Sequence, residues 1–276
     1  MGCSGRDVDR DRISNRDGIV DGGSADDAAF ATIAFRDACH NRGCKMIGTQ
    51  TPKIIEHVPA GQMCCDPIWE EAYSRFETPE EEIAKFIGRL KRFGFEKLNR
   101  QSRIVEIFCG RGNGLVALER MGFERVEGVD LSDTLLRQYE GDAQLHLANC
   151  LSLPFEDASF DIVIVQGGLH HLPNMPDDLE QSLHEVKRIL CPDGRFYVIE
   201  PWRTPFLTFA HFVTELKVMR KLYAKGDALA VMTEQERVTY EQWLGMPDVI
   251  RRAFGKHLTE VRWQTSWGKL AGVFAP

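Results

Sequence analysis

The chain has 276 residues, 43% of them hydrophobic and 27% charged. This balance is typical of a globular protein and excludes a fibrous or largely disordered one. Its formal net charge of −7 gives no general attraction for a polyanion, so we expect neither nucleic acid nor an anionic membrane as a partner. No apolar stretch approaches transmembrane length, and the first residues lack the apolar run of a secretion signal. We therefore expect a cytoplasmic protein.

The eight cysteines are scattered, and several fall inside apolar runs where a buried free thiol is the usual outcome. Four of them, Cys39, Cys44, Cys64 and Cys65, lie in one part of the chain with His40 nearby. This group lacks the two paired C-x-x-C motifs of many structural zinc sites. We therefore expect free thiols in a reducing compartment and no bound metal.

The first 45 residues are rich in Asp, Arg, Gly and Ser without sustained apolar periodicity, which predicts a flexible leader. A helical lid segment is predicted over residues 46–100. Within it, Thr78-Pro79-Glu80-Glu81 combines a helix N-cap with proline at the first helical position and glutamate at the third. Apolar residues then recur at helical spacing up to Phe93, and Gly94 is a natural helix end.

Short apolar runs alternate with helical patterns over residues 101–204, which is typical of βαβ units and a parallel sheet. The predicted strands are residues 104–108, 125–129, 144–147, 161–165 and 195–199. A helix is predicted between the last two strands, because Leu179, Leu183, Val186 and Leu190 form an apolar stripe.

Two segments complete the predicted chain. Residues 205–257 show no clear strand pattern, but they place apolar side chains at helical spacing and therefore predict a helical insertion. Residues 258–276 predict a hairpin, with strands Glu260–Thr265 and Lys269–Phe274 joined across Ser266-Trp267-Gly268.

A glycine-rich turn, Glu106-Ile107-Phe108-Cys109-Gly110-Arg111-Gly112-Asn113-Gly114, joins the first of these strands to its helix. Its glycines allow either close approach of the backbone to a ligand or close packing alone. Asp130 ends the next strand, where a carboxylate can accept hydrogen bonds from both hydroxyls of a ribose or cap a helix. Because nicotinamide enzymes share both features, these residues predict a nucleotide-type cofactor without identifying it.

Further motifs follow in a fixed order: Asn149-Cys150 after the third strand, Leu153-Pro154-Phe155, and Ser159-Phe160-Asp161 leading into the fourth. With them the sequence resembles the class I S-adenosylmethionine-dependent methyltransferases, especially the small-molecule enzymes that include quinone-biosynthetic methyltransferases. The resemblance covers roughly residues 69–199. It implies an α/β fold with a Rossmann-like, seven-stranded, mostly parallel sheet, helices on both faces, one antiparallel strand and the cofactor at the carboxyl edge.

The resemblance also implies roles for individual residues. Glu106 and the backbone of Gly110-Arg111-Gly112 would line the methionine part of S-adenosylmethionine, and Asp130 would hold its ribose. Leu131 would flank the adenine.

Three more roles follow from the same resemblance. Asn149 would address the adenine amino group, Cys150 would supply a backbone contact, and Gln166 would stand near the amino-acid end of the cofactor. Phe108 departs from the family pattern because it replaces the usual first glycine, which would narrow the pocket; Asn149 replaces a common aspartate.

Other residues are expected near the acceptor. His170 and His171 follow the fourth of these strands and are candidate general bases, or else they orient the following loop. Glu200 follows the fifth strand and either faces the same cleft or ends the strand. Trp69, Tyr73 and Phe76 form either a lid over the cofactor or ordinary core; we include Tyr73 among the cofactor-binding residues.

Three functions remain open at this stage. The first is methyl transfer to a small-molecule acceptor, the second an NAD-dependent oxidoreductase, and the third an inactive cofactor-binding regulatory protein. Leu115 disfavours the oxidoreductase, because it stands where G-x-G-x-x-G begun at Gly110 requires a third glycine. The oligomeric state is not predicted.

Overall fold

The computed structural model describes residues 52–60, 67–207 and 224–276, so the predicted leader and residues 208–223 of the predicted insertion lie outside it. Its strands are β1 (Ile54–Glu56), β2 (Arg103–Ile107), β3 (Arg125–Asp130), β4 (Gln144–Leu147), β5 (Phe160–Gln166), β6 (Leu190–Pro201), β7 (Thr259–Ser266) and β8 (Lys269–Ala275). The five predicted core strands and both strands of the hairpin are thereby confirmed, with end residues shifted.

The eight described strands form one sheet in the order β1-β4-β3-β2-β5-β6-β8-β7. Every pair from β1 to β6 is parallel, and β8 runs antiparallel to both of its neighbours. The fold is therefore the expected Rossmann-like α/β fold with one additional strand. That strand, β1, has only three residues and extends the sheet beside β4. Three residues are too few to show the alternation of apolar and polar side chains by which a strand is predicted from sequence.

The described helices are α1 (Pro67–Phe76), α2 (Pro79–Phe93), α3 (Asn113–Arg120), α4 (Asp133–Leu136), α5 (Asp177–Ile189), α6 (Ala224–Gln235), α7 (Arg237–Gly245) and α8 (Pro247–His257). The predicted capping box of α2 is present: Glu81 N donates to Thr78 Oγ1 at 3.3 Å, and Thr78 N donates to the Glu81 carboxylate at 3.1 Å. Gly94 ends α2 with a φ of +87°, a conformation that glycine adopts without strain. Within the described residues, no helix combines the length and apolarity needed to cross a membrane.

Both faces of the sheet are covered by helices. Val105 and Ile107 of β2 join a core that includes Trp243 and Phe254 of α7 and α8, whereas Ile104 joins a second core that includes Leu90 of α2. Successive strand residues point to opposite faces, so these are the two sides of the sheet. Full burial of each large apolar side chain stabilises the folded state by roughly 1.5–3 kcal/mol. These two cores therefore hold the strands, and with them the strand ends, in place.

The strand order reverses at β2, which has β3 on one side and β5 on the other. In open parallel sheets, a crevice forms beyond the carboxyl ends of the strands at such a reversal. The fold therefore places the ends of β2, β3 and β5 around one crevice.

Candidate functional site

A cavity of about 800 Å³ opens at the carboxyl ends of β2 to β5, within the size range of small-molecule sites. All but one of the predicted site residues line it: Tyr73, Glu106, Gly110, Arg111, Asp130, Leu131, Asn149, Cys150, Gln166, His170 and His171. Gly112 is not part of the described lining. It precedes α3 with a φ of +79°, and an added Cβ would lie 2.3 Å from the Tyr139 ring, so its hydrogen side chain serves packing.

Glu106 at the end of β2 is buried and incompletely hydrogen-bonded. Its Oε1 accepts from Gln166 Nε2 at 3.0 Å. Its Oε2 and the Oε1 of Gln166 are both buried without a hydrogen-bond partner among the described residues. Buried polar atoms normally have partners, so this end of the cavity presents two oxygen atoms whose hydrogen-bonding capacity is unused.

Burial raises the pKa of Glu106 to about 8, against the opposing effect of the Gln166 hydrogen bond. Gly114 provides the space for this carboxylate, because an added Cβ there would lie 2.0 Å from Glu106 Oε2. Position 114 therefore has to be glycine, because any side chain there would collide with the Glu106 carboxylate.

Asp130 at the end of β3 ties the glycine-rich turn to the following loop. Its Oδ2 accepts from Gly110 N at 2.8 Å, and its Oδ1 accepts from Ser132 N at 2.9 Å. Burial raises its pKa, and these backbone donors oppose that rise. A carboxylate has about four acceptor sites, so Asp130 retains capacity for a further donor from the cavity.

Asn149 and Cys150 follow β4, beside Asp130 on the cavity wall. The Asn149 Oδ1 accepts from Leu151 N at 2.9 Å, which orients the amide. Its oxygen keeps a second lone pair, so asparagine here still offers the acceptor that an aspartate would offer.

Phe108 lines the cavity with a φ of +61°, in the left-handed region that favours glycine. This conformation explains why a glycine is usual at the position. The phenylalanine ring packs against Gly168, where an added Cβ would lie 2.2 Å from Phe108 Cγ. The substitution is thus accommodated by a glycine on the loop after β5.

A buried polar network joins α1 and α2 to the glycine-rich turn. The Glu82 carboxylate accepts from Asn113 Nδ2 at 2.6 Å, from the Tyr73 hydroxyl at 2.6 Å and from Arg111 at 3.1 Å. The Arg111 guanidinium also lies 4.4 Å from the centre of the Tyr73 ring. Sequence reasoning missed Glu82. In the sequence it is one of several charged residues of α2, four positions before Phe86 of the apolar stripe.

Glu200 at the end of β6 contacts residues 168–171 after β5, called here the histidine loop, and it is not on the described cavity wall. Its Oε1 accepts from Gly168 N and Leu169 N, each at 2.8 Å, and its Oε2 lies 2.8 Å from His170 Nδ1. The carboxylate is 1% exposed. Of the two alternatives for Glu200, the structure supports the one in which it ends the strand, and it also orients His170.

Glu236, immediately before α7, faces both histidines across the cavity. Its Oε2 lies 3.7 Å from His170 Nε2, and its Oε1 lies 3.7 Å from His171 Nδ1. Burial lowers the pKa of His170, but the hydrogen bond with Glu200 and the nearby Glu236 carboxylate outweigh it and raise the pKa to about 9. Burial and the neighbouring His170 lower the pKa of His171. No sequence motif marks Glu236, which sequence reasoning missed.

Comparison with known proteins connects this site with a family. Residues 105–198 match a family model described as a methyltransferase domain. The chain is 29% identical over 147 residues to a demethylmenaquinone methyltransferase of Listeria welshimeri, covering 47% of this chain and 60% of that protein. It is 29% identical over 127 residues to a 27-O-demethylrifamycin SV methyltransferase of Amycolatopsis mediterranei, covering 43% of this chain and 44% of the relative.

The fold has a solved counterpart in a protein of Pyrococcus horikoshii, with a TM-score of 0.58 and 20% identity over 77% of this chain and all of that one. The chain thus spans less than two thirds of the curated relatives named above, and the structural likeness concerns the fold. The matched domain contains the glycine-rich turn, Asp130 and the histidine loop. Together with the sheet order and the motif series, this match supports the expected resemblance to the class I S-adenosylmethionine-dependent methyltransferases.

Proposed function

We propose that the protein transfers a methyl group from S-adenosylmethionine to a small-molecule acceptor. The observation that carries this proposal is the pair of unpartnered buried oxygens on Glu106 and Gln166, in the same cavity as Asp130. An ammonium donor and a vicinal diol are the groups that these side chains can bind. S-adenosylmethionine carries both, on its methionine part and on its ribose.

The residues of the cavity fit this cofactor from end to end. Glu106 and Gln166 would bind the ammonium group, and Asp130 would accept hydrogen bonds from the ribose hydroxyls with its free lone pairs. Leu131, Asn149 and Cys150 would surround the adenine.

The Arg111–Glu82–Tyr73 network would hold α1 over the cofactor as a lid and exclude water. When bound, the cofactor supplies an electrophilic methyl group on a sulfonium. The protein then has to align the acceptor with that methyl group and, where the acceptor carries a proton, provide for its removal.

His170 and His171 remain the proposed catalytic residues, with Glu236 added beside them. All three line the cavity, so we place the reacting group of the acceptor there. In this proposal residues 101–204 bind the cofactor and residues 205–257 cover the acceptor. The names of the two curated relatives, which refer to a demethylmenaquinone and a demethylrifamycin, support an acceptor with a large apolar part.

We also propose a reducing compartment such as the cytoplasm. Cys109, Cys150 and Cys191 are free thiols in the described part of the chain. Burial raises the pKa of the Cys109 and Cys150 thiols, which keeps them protonated and unreactive.

Calorimetry with S-adenosylmethionine and with NAD tests the cofactor directly. We expect saturable binding of the former and none of the latter. An acceptor screen that detects S-adenosylhomocysteine then tests catalysis. NAD binding, or cofactor binding without turnover of any acceptor, would overturn the proposal in favour of an oxidoreductase or an inactive regulatory protein respectively.

A further inference from the structure

Two imidazoles and one carboxylate converge on one side of the cavity. His170, His171 and Glu236 each offer one ligand atom, and these atoms all lie within 4.8 Å of one another. The Glu236 oxygens are 3.7 Å from the nearest nitrogen of each histidine. These separations exceed those of short, well-formed hydrogen bonds, and the two imidazole rings lie side by side with their centres 4.1 Å apart.

The spacing of the three ligand atoms is compatible with a bound metal ion. Three atoms within 4.8 Å of one another always have a common point at about 2.8 Å or less from each of them. Metal–nitrogen and metal–oxygen bonds of about 2.0–2.2 Å then require each ligand atom to move inward by well under 1 Å. Small side-chain rotations provide such movements without displacing α7 or the histidine loop.

Glu200 supplies the support that a metal-binding histidine normally has. It lies 2.8 Å from His170 Nδ1, which leaves Nε2 directed towards Glu236. It is itself fixed by the backbone N–H groups of Gly168 and Leu169. A carboxylate behind a histidine is the usual outer partner in metal sites, where it orients the ring and increases its basicity.

We propose that His170, His171 and Glu236 bind one divalent transition-metal ion of the zinc or cobalt type. Two nitrogens and one oxygen are a donor set that suits these ions, whereas Mg²⁺ and Ca²⁺ prefer oxygen ligands throughout. Three protein ligands leave at least one position open, and all three residues line the cavity. This inference departs from the sequence-based expectation of no metal, because the carboxylate ligand comes from a helix start that no motif marks.

A metal ion at this place would also indicate the chemical class of the acceptor. This part of the inference rests on the proposed function, methyl transfer. An acceptor hydroxyl or phenol oxygen would occupy the open position, and the ion would lower the pKa of that oxygen. His170 and His171 would then act as ligands that position the ion rather than as free bases.

The experiment is a titration of the full-length, chelator-treated protein with Co²⁺, followed by absorption, and with Zn²⁺, followed by calorimetry. We expect one site per chain with the visible bands of nitrogen and oxygen ligation. Glu236→Gln and His171→Gln should each weaken binding by tenfold or more. Glu200→Gln should weaken it by about 10- to 100-fold, because the outer partner is lost.

The matched control is His257→Gln, which removes a histidine lying 3.9 Å from Glu180 outside the described cavity. It should leave the affinity unchanged. The cysteines at positions 39, 44, 64 and 65 are competing ligands in the same chain, and Co²⁺ bound to thiolates is recognised by its strong near-ultraviolet charge-transfer band. Melting curves establish that each variant is folded, and His171→Gln replaces Glu236→Gln if the latter does not fold.

Absence of Co²⁺ binding, thiolate bands alone, or equal affinity in the wild type and the folded cavity variants would overturn the metal site. S-adenosylmethionine binding is measured on the same samples. Cofactor binding without a metal site would refute only this inference, whereas a metal site without cofactor binding would refute only the proposed function.

Discussion

The two halves of the cavity are built in different ways. The cofactor half consists of residues at the carboxyl ends of neighbouring strands, such as Glu106 on β2 and Asp130 on β3. The acceptor half combines the loop after β5 with Glu200 from β6 and Glu236 from the start of α7. Groups placed by local strand–turn–helix geometry are recognisable from spacing alone, whereas groups assembled by packing between distant segments are not. The two halves should therefore respond independently to substitution.

Gly114→Ala should have the largest effect, and it should be confined to the cofactor half. The new Cβ would lie 2.0 Å from the Glu106 carboxylate and would displace it. We expect S-adenosylmethionine affinity to fall at least 100-fold in calorimetry. Gly88→Ala is the control, because nothing lies within 4 Å of its added Cβ. If Gly114→Ala and Gly88→Ala bind S-adenosylmethionine with the same affinity, Glu106 does not bind the cofactor.

Glu236→Gln tests whether the acceptor half is independent. It removes a charge facing both histidines but leaves the ends of β2 and β3 intact. We expect kcat with a responsive acceptor to fall about 100-fold, while the dissociation constant for S-adenosylmethionine stays close to that of the wild type. A comparable loss of cofactor affinity would contradict the division into two halves.

Gly168→Ala tests the boundary between the halves, where the loop after β5 packs on Phe108. The added Cβ would lie 2.2 Å from Phe108 Cγ, and such overpacking costs about 1–3 kcal/mol of unfolding free energy. Denaturant unfolding measures this loss. In Phe108→Gly/Gly168→Ala the clash is absent, so the second substitution should cost much less. If the losses of unfolding free energy in the two single variants add up to the loss in the double variant, residues 108 and 168 do not interact.

Glu106→Gln should change how stability depends on pH. Burial raises the pKa of Glu106 from its ordinary value of 4.5 to about 8 in the folded protein. The neutral form of this carboxyl therefore stabilises the folded protein. That contribution is fully present below about pH 4.5 and is lost as the pH rises through about 8. Because glutamine does not titrate, the Tm of the ligand-free variant relative to wild type should rise by several degrees between pH 5 and pH 8.5. A constant difference would contradict the assigned pKa.

Most of the fold could be predicted because its elements carry short-range patterns. The capping box at Thr78 and the apolar runs of β2 and β5 are visible in consecutive residues. The three-residue β1 was missed because its pairing with β4 depends on tertiary contact. Strand β6 begins at Leu190 rather than at residue 195, because pairing with Phe160 across a register shift extends it through Pro192-Asp193-Gly194.

The same distinction applies to the site. Asp130 was found because it ends the strand that follows the glycine-rich turn, whereas Glu106 was assigned through the family resemblance. Gly112 was assigned to the cofactor by the family pattern, yet the structure places it against Tyr139. Glu82 and Glu236 reach the cavity only because α2 and α7 pack against it, and one sequence contains no signal for that approach.

The central claim is that S-adenosylmethionine lies across the ends of β2 and β3 with its ribose on Asp130. Calorimetric titration of wild type and Asp130→Ala with S-adenosylmethionine tests it most directly, since hydrogen bonds to a charged group contribute about 1.5–3 kcal/mol each. The account predicts saturable binding that weakens at least tenfold in a variant that still unfolds cooperatively. Equal affinity of the two folded proteins, or no binding by wild type, would contradict it.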